Sequence, residues 1–390
     1  MQNGQQNVSR LEPMLKVNKN GVIVCKHPWT SMDIQPNGDI NPCCYLPRKI
    51  LGNINRQSID EIWNSKKYVG FRENMAQLGA KKLCKECHVL SGMNSWDKVD
   101  YYKKASPDSP TRINAELNEK EIFEGNYILK SRVRRMKYTP SYSCNLACYH
   151  CSQDQYRDIE ATRLNEHVFQ KVLQELHSLE IIYPFGGEPF VHKETDIILE
   201  KLLETNKDCA FFTTTNANHI TEYQWELLKK CRIGKITVSF DGVSRETYEK
   251  YRRKASWDIL NQNVRKFSEL RQANNFDLIF NCSFNNETYS ELKSFIDYCK
   301  EYRAIGRPVT CQIKKNHGHD FWKKHIMMPS KQVTKFKNSI EELLKETTLP
   351  SDTENSLKYM IRQIKKIPFS KKGKLYFDIQ ALISRIIRNT

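Results

Sequence analysis

The spacing of apolar residues changes at about position 130 of the chain. Beyond that point, short runs rich in β-branched and aromatic residues alternate with stretches whose apolar residues fall on one helical face. This alternation predicts six strand–helix units over about 210 residues. The predicted strands are, in chain order, RRMKYTPSY, EIIYPF, AFFTTT, KITVSF, DLIFNCSF and PVTCQI.

Six strand–helix units in succession indicate an α/β fold with a parallel sheet and helices outside it. Eight units would close a full barrel, so six predict a partial (β/α)6 TIM-like barrel, which we place over residues 131–348. In sheets of this kind the chemistry lies in the loops that follow the carboxyl ends of the strands.

The segments before and after this core differ from it in composition. We expect a flexible lead over residues 1–20 and a small cysteine-rich domain over 21–97, with turn signals such as QPNGDINP. The polar stretch that follows predicts a linker over 98–130. The basic end of the chain, 349–390, is predicted to form a helical extension.

Composition places the chain among soluble globular proteins. It has 390 residues, of which 39% are apolar and 27% charged. There is no apolar run of the roughly 18 residues that a membrane span needs, and the start resembles no secretory signal, so we expect a cytoplasmic protein. The 13 cysteines are odd in number and clustered, which favours metal or redox chemistry over disulfides.

The formal net charge is +17, and it is unevenly distributed. Residues 321–390 hold 15 Lys and Arg against 6 Asp and Glu, a surplus of +9. Such a surplus fits either a solvated helical surface or attraction to an acidic partner such as nucleic acid or an acidic peptide. Charge alone does not choose between them.

Three cysteines lie close together in SYSCNLACYHCSQ, residues 141–153, which follows the first predicted strand. Cys144, Cys148 and Cys151 have the spacing C-x3-C-x2-C. A structural zinc site needs a fourth ligand, and His150 is poorly placed between two of the cysteines. A [4Fe–4S] cluster with one iron free of protein thiolate fits better, because the open iron can bind a chelating small molecule.

This motif resembles the signature C-x3-C-x-Φ-C of the radical S-adenosylmethionine (radical SAM) superfamily, with His150 at the usually aromatic position Φ and Tyr149 before it. The resemblance implies that the three cysteines hold a [4Fe–4S] cluster whose open iron is chelated by S-adenosylmethionine. One electron from the cluster then yields a 5′-deoxyadenosyl radical, which abstracts hydrogen from the substrate. Tyr149 and His150 would lie against the adenine.

Three further segments resemble parts of the same family. The segment FGGEP follows the second predicted strand, and by resemblance Gly186, Gly187 and Glu188 bind the methionine amino group. TTTNA ends the third strand and contributes Asn216. VSFDG ends the fourth strand, and YRR lies downstream. By resemblance Ser239 and Arg252 meet the methionine carboxylate, although the neighbouring Arg253 is an alternative to Arg252.

A second cysteine set precedes the core. Cys25, Gly38 and Cys43 form C-x12-G-x4-C, and Cys84 and Cys87 form C-x2-C. A hairpin with a Pro-Asn-Gly turn would bring Cys25 and Cys43 together, and a helix over SIDEIWNSKKYVGFREN would lead to the second pair. Four thiolates could bind zinc or another [4Fe–4S] cluster, and the spacing does not decide between them.

This pattern resembles the auxiliary-cluster module called SPASM, or its shorter form, twitch. The resemblance implies that Cys25, Cys43, Cys84 and Cys87 ligate an auxiliary [4Fe–4S] cluster, with the adjacent Cys44 as the alternative to Cys43. In most relatives this module follows the core, whereas here it precedes it. We expect the remaining cysteines to be packing residues: Cys209, Cys231, Cys282, Cys299 and Cys311.

The favoured function is a radical SAM enzyme that oxidises or cross-links a peptide or protein side chain, with the auxiliary cluster accepting an electron. One alternative is a radical dehydrogenase of a sugar or aminocyclitol alcohol. A zinc-containing nucleic-acid-binding protein is another, but it explains neither GGEP nor the six repeated units. The expected partners are S-adenosylmethionine, a peptide or small-molecule substrate, and an electron donor such as flavodoxin or ferredoxin, with no membrane. No catalytic acid or base is identified.

Overall fold

The computed structural model describes residues 15–18, 20–44, 46, 49–84, 99–151, 153, 163–285, 287–310, 330–345 and 349–364. Expectations for most of the N-terminal lead, for Cys87 and Cys311, and for residues 365–390 lie outside these ranges. Within them, no helix is both long enough and apolar enough to cross a bilayer.

The strands are numbered in chain order. Those before the predicted core are β1 Leu15–Val17, β2 Ile23–Cys25, β3 Ser31–Ile34, β4 Asp39–Asn41 and β5 Gly52–Asn53. Those of the predicted core are β6 Arg135–Tyr138, β7 Ile181–Pro184, β8 Ala210–Thr215, β9 Ile233–Phe240, β10 Asp277–Phe284 and β11 Ile305–Thr310. Each of the six strands expected from the sequence is therefore present.

The α-helices are also numbered in chain order. The first five are α1 His27–Thr30, α2 Ile59–Trp63, α3 Lys66–Leu78, α4 Ala80–Leu83 and α5 Pro110–Glu124. The helices of the core are α6 Glu166–Glu175, α7 Lys193–Thr205, α8 Glu222–Lys230, α9 Arg245–Tyr251, α10 Trp257–Asn274, α11 Leu292–Glu301 and α12 Ser330–Leu343, and α13 Ser351–Ile364 follows them. Strands and helices alternate as the apolar spacing predicts.

The described residues form two compact units. The first holds those up to residue 145, with 153, 163–237 and 269–277. Its main sheet has the strand order β9-β8-β7-β6-β3-β4-β5, and β1 and β2 form a separate antiparallel pair. The pairs β6–β7 and β7–β8 are parallel. The apolar sequence pattern thus predicted the parallel α/β arrangement correctly.

The second unit holds the described residues from 146 to 151, 238 to 268 and 278 onward. Its strand order is β11-β10-β9, and β10 pairs with β11 in parallel over Ile279 to Phe284. Among the described strands, β5 is the outermost strand of the first unit and β11 the outermost strand of the second. The strand order therefore does not close into a full barrel. The expectation of a partial barrel is confirmed.

The cysteine-rich segment joins the sheet of the core directly. Strand β3 pairs in parallel with β6, with Ser31 opposite Arg135 and Ile34 opposite Tyr138. The ends of this pairing are closed by two further bonds, in which Arg134 N–H donates to Thr30 O and Thr139 N–H to Ile34 O, each at 3.0 Å. Strands β4 and β5 then extend the sheet by antiparallel pairing.

The expected hairpin lies between β3 and β4, and its turn holds Pro36, Asn37 and Gly38. The single helix expected over residues 58–74 is instead two helices, α2 and α3. Ser58 and Glu61 form a capping box at the start of α2, and Ser65 caps the start of α3 by accepting from Tyr68 N–H. The break at Asn64 and Ser65 arises because Ser65 satisfies the N–H groups of a new helix.

Helix α5 lies in the range where the sequence predicts a linker, and a partly buried charge network connects it to both neighbouring segments. Glu119 of α5 pairs with Lys26 at 2.8 Å and with Arg134 at 2.7 Å. Arg134 also pairs with the fully buried Glu180 at 2.8 Å. Burial alone would raise the pKa of Glu119, but Arg134 and Lys26 outweigh it and lower the pKa to about 2.

We predict that Glu119→Gln destabilises the protein by about 2 kcal/mol at pH 7, because Arg134 and Lys26 then keep their charges without the carboxylate. A carboxyl whose folded pKa is depressed stabilises the fold above its unfolded pKa, and that stabilisation is lost as the pH falls through the folded pKa. The difference between the two proteins should therefore shrink from about pH 4.5 towards pH 2.

Urea unfolding at pH 7 and pH 3 measures this difference. Glu116→Gln is the matched control on the same helix, because Glu116 forms an ion pair with Arg112 at the surface and its side chain is 55% exposed. It should change the free energy of unfolding by less than about 0.5 kcal/mol. Equal effects of the two substitutions, or a Glu119→Gln effect that does not depend on pH, would show that Glu119 has no such role.

Candidate functional site

The loop after β6 carries the three clustered cysteines. Cys144, Cys148 and Cys151 are partly exposed, and none of them forms a disulfide in the described part of the chain. The boundary between the two units falls between Asn145 and Leu146, so Cys144 belongs to the first unit and Cys148 and Cys151 to the second. The loop follows the carboxyl end of its strand, where the sequence predicted the chemistry to lie.

In the first unit, Cys144 has an amide donor close to its sulfur. Asn216, which follows β8, places its Nδ2 3.7 Å from Cys144 Sγ and 2.9 Å from Asn145 Oδ1. Asn216 is 5% exposed, and its own Oδ1 accepts from Asn218 N–H at 2.8 Å. An amide N–H at this range stabilises a thiolate more than a thiol, because the donor favours the charged form.

The turn after β7 requires glycine at two successive positions. Gly186 has φ +91° and Gly187 φ +53°, in the region that disfavours L side chains. A Cβ on Gly186 would lie 2.3 Å from Thr139 Cγ2, and one on Gly187 would lie 1.8 Å from Ser143 O. The turn therefore packs its backbone directly against the loop that leads to Cys144.

Glu188 holds two loops of the first unit together. It is 1% exposed, and its carboxylate accepts from Thr215 Oγ1 at 2.6 Å and from Asn216 N–H at 2.7 Å. Its own N–H donates to Ser143 O at 3.0 Å. The buried carboxylate of Glu188 thus positions Asn216, while the backbone of the glycine turn lies against the cysteine loop.

In the second unit, Asp241 links two of the predicted residues. Its Oδ2 lies 2.8 Å from Arg252 Nε and 3.2 Å from His150 Nε2. Burial alone would raise the pKa of Asp241, but Arg252 and His150 outweigh it and the pKa is lowered. Arg252 also places Nη1 3.8 Å from Cys148 Sγ. The ion pair therefore directs a guanidinium towards a cysteine sulfur.

Backbone bonds attach the cysteine loop of the second unit to the segment after α9. Tyr149 N–H donates to Tyr251 O at 2.8 Å, and Ala147 N–H donates to Arg253 O at 3.0 Å. The exposed Arg253 side chain donates back to Ala147 O at 2.9 Å. Arg252 and Arg253 thus differ, because Arg252 pairs with a buried carboxylate and Arg253 with a backbone carbonyl. Ser239 lies in β9, two residues before Asp241, and is partly exposed.

The upstream cysteines lie in the first unit. Cys25, Cys43 and Cys84 are each 7% exposed, and none is in a disulfide within the described residues. Cys25 Sγ lies 3.1 Å from Nδ1 of the buried His27, a contact that the sequence pattern did not reveal. Cys87, the fourth predicted ligand, lies outside the described residues.

Cys43 and Cys44 have different surroundings although they are adjacent. Burial raises the pKa of Tyr68, and Cys43 is among the groups that raise it further. Cys44 instead packs against the apolar cluster of Ile181, Ala210 and Phe212. The electrostatic interaction of Cys44 with Lys137 also helps to raise the pKa of Lys137. The two cysteines therefore face different parts of the first unit.

The donor set around the predicted ligands suits cysteine thiolates. In the part of the chain that the structure describes, no three His, Cys, Asp or Glu side chains are grouped as ligands of one metal ion. A cubane cluster distributes its thiolates over separate irons, so this observation concerns a mononuclear site. Asn216 places an N–H group near Cys144, and Arg252 places one near Cys148. Such donors stabilise anionic sulfur, and so does the partial exposure of the three cysteines.

The cysteines predicted to pack in the core do so where the structure describes them. Cys209, Cys231, Cys282 and Cys299 are buried. Burial raises the pKa of each thiol, to about 12 for Cys231. Thiols held neutral in this way are inert packing groups.

Two protein families match this chain. Residues 138–299 match the radical SAM superfamily, and residues 25–88 match SPASM, an iron–sulfur cluster-binding domain. The resemblance drawn from the cysteine motifs is therefore confirmed, including the position of the SPASM match before the radical SAM match.

Several proteins are similar to the chain. The mycofactocin maturase MftC of Mycolicibacterium smegmatis is 26% identical over 185 residues, which are 47% of this chain and 45% of MftC. The AdoMet-dependent heme synthase of Methanosarcina barkeri is 22% identical over 179 residues, 45% of this chain and 50% of the synthase. The chain spans about half the length of these curated relatives. Among solved structures, Streptococcus suis SuiB bound to precursor peptide SuiA aligns with a TM-score of 0.41 and 15% identity, covering 74% of this chain and 62% of SuiB.

We predict that Gly187→Ala disrupts the turn after β7, because the added methyl group would overlap Ser143 O and neither backbone can yield cheaply. The thermal midpoint should fall by more than about 5 °C. Gly125→Ala is the matched control, since Gly125 has φ +82° but no atom of the described residues would lie within 4 Å of an added Cβ. This control measures the loss of stability that comes only from placing alanine at a positive φ. If the two variants lose the same stability, the close approach to Ser143 is not what fixes the glycine.

Proposed function

Because the chain carries a radical SAM domain preceded by an SPASM domain, we propose that it uses S-adenosylmethionine and iron–sulfur clusters for radical chemistry on a peptide or protein side chain. The observation that carries the proposal is that two sulfurs of the cysteine loop each have an N–H donor nearby, Asn216 at Cys144 and Arg252 at Cys148. When bound, a [4Fe–4S] cluster would supply the electron that cleaves S-adenosylmethionine to methionine and a 5′-deoxyadenosyl radical.

Cys144, Cys148 and Cys151 are the proposed thiolate ligands of this cluster. Asn216 and Arg252 have distinct roles in that arrangement, because each places an N–H group near one of the sulfurs. Glu188 and Asp241 have indirect roles, because they contact Asn216 and Arg252. Glu188 accepts from the backbone of Asn216, and Asp241 pairs with the guanidinium of Arg252, so these two buried carboxylates position the donors.

The proposed cofactor contacts follow from the same loops. The backbone of Gly186 and Gly187 would receive the methionine amino group, and the guanidinium of Arg252 suits the methionine carboxylate, together with Ser239. Arg252 is favoured over Arg253 for this role because it is 9% exposed and paired with Asp241, whereas Arg253 is exposed. Tyr149 and His150 are the proposed adenine contacts, with Asp241 fixing the imidazole.

An auxiliary cluster is proposed for the upstream set. Its ligands would be Cys25, Cys43, Cys84 and Cys87. Cys43 is preferred to Cys44 because Cys44 faces the apolar cluster of Ile181, Ala210 and Phe212. The contact between Cys25 and His27 gives one thiolate a ring-nitrogen partner, which would fix the orientation of the ligand.

The substrate class rests on two lines of support. A chain with a formal net charge of +17 attracts acidic segments such as those of peptides. A matched relative is named a maturase. We propose an electron donor such as flavodoxin or ferredoxin, because the reaction needs one electron from outside the chain.

Anaerobic reconstitution of the chain with iron and sulfide tests the proposal. We expect about eight irons per chain and formation of 5′-deoxyadenosine that depends on a reductant. Cys148→Ala should abolish 5′-deoxyadenosine formation, because it removes a thiolate of the cluster that binds S-adenosylmethionine. Cys84→Ala should retain that formation with about four irons. Cys231→Ala is the matched control, since Cys231 is a buried packing thiol, and it should retain about eight irons.

Each result bears on a different part of the proposal. A wild-type chain with about four irons would rule out the auxiliary cluster. Zinc in place of iron, with no cleavage of S-adenosylmethionine, would rule out the whole function. If Cys148→Ala cleaves the cofactor normally, the assignment of the cysteine loop is wrong.

A further inference from the structure

A cavity of about 610 Å³ lies in the first unit, between the β1–β2 pair and the ends of α3 and α5. Sites for small ligands typically measure about 300–1,000 Å³, so the cavity is large enough for an amino-acid residue and its side chain. Three of its lining side chains are apolar and only 2% to 3% exposed, those of Val24, Trp29 and Ile122. The described residues that line it include no cysteine and one cation, Lys16, after which we call it the Lys16 cavity.

Hydrogen bonds within the first unit hold the walls of the Lys16 cavity in place. The indole N–H of Trp29 donates to Asn126 O at 2.8 Å, and Asn18 Nδ2 donates to Ala76 O at 2.8 Å. Asn18 Oδ1 in turn accepts from Val22 N–H at 3.0 Å. The cavity is therefore formed before any ligand binds, which lowers the cost of ordering the site on binding.

The ammonium of Lys16 lies beside the apolar wall and has donors that the fold does not use. Lys16 Nζ donates to Ile122 O at 2.5 Å, and Ile122 is one of the three buried apolar residues. An ammonium has three N–H donors, and Nζ forms no other hydrogen bond within the described part of the chain. Two N–H groups therefore remain for a ligand whose acceptor lies next to an apolar group.

The surroundings of Lys16 lack a matching negative charge. Burial lowers the pKa of Lys16, Lys26 lowers it further, and Glu119 offsets them only in part. Glu119 is itself paired with Lys26 at 2.8 Å. Glu124, the carboxylate among the lining residues, is exposed and lies 3.9 Å from Lys120. An anionic group bound at Lys16 would therefore offset a surplus of positive charge.

The Lys16 cavity is separate from both proposed cluster sites. Lys16 lies opposite Val24 in the β1–β2 pair, so these two side chains share one face and that of Cys25 points to the other. Trp29 precedes β3, whereas Cys144 follows the carboxyl end of β6, the parallel neighbour of β3. The cavity and the cysteine loop therefore lie towards opposite ends of these strands.

The rim of the Lys16 cavity carries exposed apolar side chains and amides. Phe123 of α5 lines the cavity and is 89% exposed, and Ile128, which follows the lining residue Tyr127, is 70% exposed. Apolar surface that continues out of a cavity is typical of a binding site for another molecule. The exposed amides of Asn20 and Gln77 also line the cavity and match the C=O and N–H of a peptide group. The rim thus suits the main chain of a peptide whose end lies deeper inside.

We propose that the Lys16 cavity binds the C-terminal residue of a peptide whose last side chain is apolar. The terminal carboxylate accepts from Lys16 Nζ, and the side chain lies against Val24, Trp29 and Ile122. A chain end fits better than an internal acidic residue, because it carries the carboxylate and the apolar side chain on one Cα, whereas successive side chains of an extended peptide point in opposite directions. This inference rests on the proposed peptide substrate. It gives the chain a means of selecting a peptide away from the radical chemistry.

The test uses N-acetylphenylalanine, which combines a carboxylate with an apolar side chain, as the probe. Its binding to the anaerobically reconstituted chain is measured by saturation-transfer NMR with S-adenosylmethionine at saturation, so that the cofactor site is filled. N-acetylphenylalaninamide, which lacks the carboxylate, and N-acetylglycine, which lacks the apolar side chain, are the reference compounds. The wild-type chain should bind N-acetylphenylalanine at least about tenfold more tightly than either.

Lys16→Met is the decisive variant, because it keeps the length of the side chain and removes its charge. It should weaken binding of N-acetylphenylalanine at least about tenfold and leave binding of the amide unchanged. Lys171→Met is the matched control, since Lys171 Nζ also donates to backbone carbonyls of the first unit, Ile54 O at 2.8 Å and Gln57 O at 3.0 Å, but does not line the cavity. It should bind both probes as the wild type does.

Phe123→Ala tests the rim without disturbing the core, because Phe123 is 89% exposed. It should weaken binding of N-acetylphenylalanine and of its amide by about threefold each, since both probes keep the ring. Ile113→Ala is the matched control, because Ile113 is also an exposed apolar residue of α5 but does not line the cavity. Equal effects of the two substitutions would place the probe elsewhere on the chain and overturn the proposal.

Four further results would overturn the proposal: no binding of N-acetylphenylalanine to the wild type, equal binding of its amide, unchanged binding to Lys16→Met, or equal weakening by Lys171→Met. A chain without residues 1–14 is titrated as well. If that chain binds the probe and the full chain does not, the chain's own N-terminal residues fill the cavity, and the proposal fails.

Formation of 5′-deoxyadenosine by the same wild-type preparation is measured separately. If the wild type forms 5′-deoxyadenosine but does not bind the probe, this inference fails and the radical chemistry stands.

Discussion

The pairing of β3 with β6 is the constraint on which the first unit depends. It adds the cysteine-rich segment to the parallel sheet as a neighbour of the first core strand, with four residue pairs in register. A shift of one residue would turn every side chain of β3 to the other face. Asp33 would then no longer face Lys137, and Ile34 would leave the apolar side. The register therefore sets both the packing of the sheet and the ion pair between Asp33 and Lys137.

The repeated strand–helix pattern was predictable because each unit has its own local signal. Six apolar runs, each followed by a helical stripe, correspond to β6 to β11 and to the helices after them. The cysteine motifs were equally local, and they identified both families. The pairing of β3 with β6 was not predictable in this way. It joins residues about 100 positions apart, and strands as short as Ser31–Ile34 carry too little pattern to indicate a partner.

The same limit applies to the candidate site. Gly186, Gly187 and Asn216 could be found because they lie in recognisable segments at strand ends. The pairing of Asp241 with Arg252 and His150 emerged only from the fold.

Hydrogen exchange of the native chain tests most directly whether the N-terminal module is part of the active-site sheet. Peptides covering β3 and β6 should exchange with similar protection and should lose it together as urea is added, because each strand holds the amides of the other. The amide of Thr139, which donates to Ile34 O, should be protected with them. Rapid exchange of residues 31–41 while 134–139 stay protected would mean that the module is only tethered, and would contradict the account.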